Sequence, residues 1–176
     1  MLFSERSLWT MVHGIGLGGA ALLGLAAALF YLYAARPVHP EVSGETEPRA
    51  FAALTVFTAV MLWATVIIGT YVIFPPYRVT PPAGTTDLSE FPRALVLANP
   101  GTAWLHAFAM EIKEHMPWIA AMLTTAVAFI AVRYRSATLR NPTLRRMALS
   151  LLAISFAIVA FVSLLGVFVN KVAPLD

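Results

Sequence analysis

Four apolar blocks, at about residues 8–33, 51–74, 116–132 and 147–169, dominate the chain and leave few ways to fold it. Each is close to the ~20 residues an α-helix needs to cross the hydrocarbon core of a bilayer. A membrane β-barrel would instead show shorter segments of alternating character. Of the 176 residues, 59% are hydrophobic and only 12% charged, about half the charged fraction of a soluble domain, so lipid is the expected solvent. The blocks predict an all-α, integral membrane four-helix bundle, a single transmembrane domain over residues 1–176 with lipid outside and packed side chains within. The helices are expected at about 8–33, 51–74, 102–133 and 147–170, with an outer loop at 75–101.

The chain has no cysteine. That excludes disulfides, thiolate-held iron–sulfur clusters, covalently attached c-type haem and blue copper, and leaves His, Met and carboxylates as the only metal ligands. The net charge of +3 reflects one arginine-rich loop, and nothing points to nucleic acid. The first block follows Arg6 and precedes Ala34 and Ala35, as a signal peptide might be arranged. Its apolar run exceeds the ~7–15 residues of a signal core, so an uncleaved helix is expected.

Positive residues in short loops face the cytoplasm. Arg133, Arg135, Arg140, Arg145 and Arg146 crowd one connection that holds no acid, which places it inside, and four spans then put both termini and the 75–101 loop outside. The remaining loop, with Arg36 and Arg49 beside Glu41, Glu45 and Glu47, returns to the inside. This topology implies a bacterial inner (cytoplasmic) membrane protein. The outer loop holds Pro75, Pro76, Pro81, Pro82, Pro92 and Pro100, so it makes no long helix, and Asp87 to Leu97 is expected to form one short interfacial turn. Asn99, Pro100 and Gly101 break the chain before a third helix of some 30 residues, ~45 Å long and kinked at Pro117.

The chemistry-bearing residues cluster at the outer end. His13 lies in the string Met11, Val12, His13, Gly14, Ile15, Gly16, Leu17, Gly18, Gly19. An imidazole at membrane depth is costly without a partner and marks function by default, while the small residues allow another helix or a flat macrocycle to approach. The alternative is a helix-packing stripe with a hydrogen-bonded histidine. In the third helix, at 100° per residue, His106, Met110 and Lys113 share one face and Glu111 and His115 another. His115 begins the apolar run at about the depth of His13, with His106 nine residues further out, ~13 Å by helical rise.

That common depth makes His13 and His115 a candidate axial pair for one b-type haem, with Glu111 or a carbonyl orienting a ring nitrogen and His106 as a substitute for His115. A di-iron bundle would need Glu-x-x-His on two helices, and Ile112 stands three before His115. A copper or zinc site from His13, His106, His115 and Glu111 is chemically reasonable. Its alternative is a charged helix turn at the headgroups. Tyr71, Tyr77 and Arg78 suit haem propionates or a quinone oxygen, or else an aromatic belt with a snorkelling arginine. The fourth block carries only serines as polar side chains, and His39 falls in a loop beside Pro40. No histidine, acid or base occupies the inner half of any helix, which argues against a pump, an ion-coupled carrier or a haem relay across the whole membrane.

Four spans, His13 followed by glycine in the first, and His115 or His106 in the third give an arrangement that resembles small four-helix membrane cytochrome b subunits of respiratory complexes. The resemblance implies those histidines as ligands of haem b and a quinol, or a membrane or periplasmic redox subunit, as partner. The missing inner histidine pair implies one haem rather than two. The expected function is a subunit of a bacterial respiratory or photosynthetic electron-transfer complex, without independent catalytic activity. The rival expectations are a cofactor-free structural subunit and a small membrane metal-binding protein.

Overall fold

A computed structural model describes residues 4–34 and 46–174; His39 and the acids Glu41 and Glu45 lie outside the described residues. Four long helices carry the fold: α1 (Glu5–Ala34), α2 (Thr46–Tyr77), α4 (Leu105–Tyr134) and α6 (Pro142–Val172). Two short ones join them, α3 (Pro92–Leu97) and α5 (Ser136–Arg140). Each long helix is apolar and long enough to cross a membrane. At 1.5 Å per residue they reach ~45 Å against a ~30 Å hydrocarbon core, so both ends of the bundle extend to the headgroups.

The helices begin earlier than the apolar blocks do, because caps rather than hydropathy set their starts. Ser4 caps α1 by accepting the Ser7 N–H at 3.0 Å. Asn141 caps α6, accepting the N–H groups of Thr143 at 2.8 Å and Leu144 at 3.2 Å, with Pro142 in the first turn, where its missing N–H costs nothing. Arg145 and Arg146 therefore lie within α6. The Arg145 guanidinium reaches the carbonyls of Leu32 and Tyr33 at the C-terminus of α1. There it satisfies acceptors the helix leaves open and complements its dipole.

α1 packs on α2, α2 on α4, α4 on α6 and α6 on α1, so α1 and α4 lie on one diagonal and α2 and α6 on the other. The main core fills the bundle toward the arginine end and includes Leu25, Leu32, Phe51, Leu62, Val127 and Leu152. A smaller core of Val96, Leu105, Ala109, Leu165 and Ala173 closes the opposite end, where α3 folds onto α4 and α6. The Thr102 hydroxyl donates to the Val96 carbonyl at 2.8 Å and pins the break before α4 to α3.

Helical geometry changes along the bundle. Toward the arginine end the four helices are regular α-helix, whereas at the other end three of them carry π-helical segments: Val12–Gly18 in α1, Gly69–Ile73 in α2 and Leu105–Met110 in α4. Prolines account for one of these. Pro75 and Pro76 have no N–H to give the Tyr71 and Val72 carbonyls and would crowd them, and a wider turn relieves both problems. Pro117 stays inside α4 and denies a donor to the carbonyl of Lys113. Of the 75–101 loop, the first residues extend α2 to Tyr77, and its helix is Pro92–Leu97 rather than a turn from Asp87.

Candidate functional site

All four long helices contribute to one polar layer about 12 Å below the end that carries the π segments, the distance set by eight residues of helical rise from Glu5 to His13. His13 enters from α1 and Lys113 from α4, on the same diagonal, close enough for their charges to interact. The other diagonal supplies glycines. A Cβ on Gly69 of α2 would stand 2.7 Å from His13 Cε1, and one on Gly166 of α6 would stand 2.9 Å from Lys113 Nζ. The two basic side chains thus find room inside the bundle because a glycine of a neighbouring helix faces each of them.

The His13 ring has a hydrogen-bonding contact with the Thr65 backbone and is otherwise held by packing. Its Nδ1 is, among the described residues, the one buried side-chain nitrogen or oxygen with no hydrogen-bond partner. The polar group beside the ring is the backbone carbonyl of Thr65, one turn from Gly69. Buried polar atoms are almost always paired, and an exception calls for a reason such as a ligand. Here the exception sits within a π segment, a feature common at functional sites.

His106, one layer further out, is paired. Its Nδ1 lies 3.1 Å from the Tyr77 hydroxyl, with ring centroids 5.9 Å apart. Arg78, Arg93, Glu111 and Glu114 surround the pair electrostatically. With Nδ1 engaged, only Nε2 remains available, which is how a metal-ligating imidazole is usually oriented by its surroundings.

His115 points the other way. Its side chain is 72% exposed, and its Nδ1 bonds the Glu111 carbonyl of its own helix at 2.8 Å, with the Glu111 carboxylate 3.9 Å away. The cause is angular: Lys113 occupies the inward position of α4, and two further residues turn ~200° away from it. Whereas His13 is partly buried with an enclosed Nδ1, His115 faces outward. His106, on the Lys113 face, is the second inward histidine.

Tyr71 is exposed, and the exposed Arg78 lies over the Phe74 ring at 5.3 Å. Buried Tyr77 is the aromatic residue of that cluster which reaches the site. Among the described residues no three His, Asp or Glu side chains gather closely enough to hold a metal ion. A group that takes its ligands from one or two imidazoles needs no such cluster.

Sequence reasoning named Tyr77 as a candidate, gave Lys113 no role beyond sharing a face with His106, and gave Gly69 and Gly166 none. Lys113 was open to notice, since an amine seven residues from His106 shares its face of a helix. The glycines were not, because pairing them with His13 and Lys113 requires knowing which helices are neighbours. Fold and site together define a multi-pass membrane helical bundle with a polar layer buried near one end. No family model, curated protein or solved structure matches the chain.

Proposed function

We propose that the chain is a subunit of a membrane electron-transfer complex that holds one b-type haem near the end of the bundle opposite the arginine loop, with His13 as an axial ligand. The observation that carries this reading is the buried, unpartnered Nδ1 of His13, set against Gly69 where any side chain would displace the ring. The residues fit the group. His13 is an inward imidazole with unmet bonding capacity, and His106 is a second, oriented through Nδ1 by Tyr77 and free at Nε2. His106 is therefore the second ligand of choice, in place of the outward-facing His115.

When bound, haem supplies one-electron chemistry. The chain's own residues ligate it, bury it and set the polarity around it. The described histidines, His13, His106 and His115, all lie toward the end opposite the arginine loop, which favours one haem over two. By the positive-inside rule the arginine loop lies in the bacterial cytoplasm and the histidine end faces outward. Electrons then exchange on the outer side, with a redox subunit or a quinol, and exposed Tyr71 and Arg78 mark that surface.

The test is a reduced-minus-oxidised visible spectrum of the purified full-length protein and three variants. A b-type band is expected in the wild type and in His115→Ala, lost in His13→Ala and lost or shifted in His106→Ala. A band that persists unchanged in His13→Ala, or a wild type with no haem after expression in haem-replete cells, overturns the reading and leaves a structural subunit.

A further inference from the structure

Lys113 brings a positive charge into the bundle near His13. Its side chain is half-buried among the helices with the ammonium next to Gly166, and among the described residues it has no hydrogen bond or ion pair. The acids nearest in sequence are turned elsewhere. Glu111 is exposed beside His115, and Glu114 acts on His106 and Tyr77. A cation taken out of water without a counter-charge is unfavourable, so the position calls for an anion that the described residues do not supply.

Geometry narrows what that anion is. A helical side chain leans toward the N-terminus of its helix, so from α4 Lys113 reaches toward the histidine end. It approaches His13 from the opposite side of the bundle, and Gly166 leaves it room. A group that His13 binds is thereby brought within reach of an ammonium. Haem carries two propionate carboxylates on its edge, and a carboxylate is the natural partner of a lysine in an apolar site.

We propose that Lys113 is the counter-charge for a propionate of the haem held by His13. The proposal rests on the haem reading, and it makes Lys113 a recognition residue that selects the anionic edge of the macrocycle rather than a ligand to iron. It also gives the paired glycines a common purpose: Gly69 admits the ligating ring and Gly166 admits the ammonium.

A chemical double-mutant cycle tests it. Haem and its dimethyl ester, in which both propionates are capped, are titrated into the detergent-solubilised full chain, freed of haem, and affinity is read from the Soret absorbance. The wild type is expected to prefer haem over the ester by about tenfold or more. Lys113→Met is expected to bind both alike, and Lys113→Arg to keep the preference. Because the ratio is taken within each protein, a general loss of stability in a variant cancels. A Lys113→Met protein with the wild-type preference overturns the role of Lys113 while leaving His13 in place. Unchanged haem affinity and spectrum in His13→Ala overturn both.

Discussion

The two halves of this bundle treat buried polar groups in opposite ways. Toward the arginine end, Thr55, Thr58, Thr124 and Ser155 are fully buried, and each hydroxyl donates to a backbone carbonyl, of Phe51, Leu54 and Ala120 among others. The helices there are regular, and the core is aliphatic and aromatic. At the histidine end the helices widen into π turns, and among the described residues an imidazole nitrogen has no partner and the Lys113 ammonium no counter-charge. In a membrane the driving force for helix association is packing rather than water exclusion. A half that packs regularly and satisfies its hydroxyls can hold the fold, which lets the other half keep unmet bonding capacity for a ligand.

Adding one methyl group to a glycine in each half breaks this comparison open. Gly24 lies against Thr58 where α1 crosses α2 in the regular half, and neither backbone nor a buried threonine can give way. Gly24→Ala is expected to destabilise the bundle by about 1–3 kcal/mol, seen as a lower melting temperature in detergent. A melting temperature within a degree of wild type would show that half to be looser than its packing suggests.

Gly69→Ala should behave differently. The new methyl meets an imidazole whose Nδ1 no hydrogen bond fixes, so the ring moves and stability falls by less than about 1 kcal/mol. Haem retention is expected to fall with it, as the displaced His13 loses its position. Equal loss of stability in Gly24→Ala and Gly69→Ala, with haem unaffected, would erase the distinction between the halves.

The smallest effect is expected from Thr124→Val. Its hydroxyl bonds the Ala120 carbonyl of its own helix at 2.8 Å, a carbonyl that the helix also uses. Removing it should change stability by about 1 kcal/mol or less and leave any visible spectrum untouched. A spectral change would extend the functional region across the whole bundle.

Much of the architecture was legible in the sequence, and the reasons are physical. Hydropathy at membrane-spanning length predicts long helices whatever their neighbours, so the four spans stand where the apolar blocks do. Their ends were less legible because caps such as Ser4 and Asn141 start helices in polar sequence. Of the candidate site, His13 was readable as an imidazole at membrane depth among small residues. His115 was read as its partner from depth alone, since periodicity fixes the angle between His106, Lys113 and His115 but not which of those faces turns inward.

What the sequence determined by itself is the set of spans and the placement of the histidines toward one end and the arginine cluster at the other, because both follow from the cost of placing polar groups in lipid. Only the tertiary structure decided that α1 and α4 share a diagonal, that Lys113 rather than His115 faces the axis, and that Gly69 and Gly166 stand opposite the two basic side chains. Those are relations between helices distant in the chain. They depend on how each helix is rotated when it packs, and no local pattern encodes that rotation.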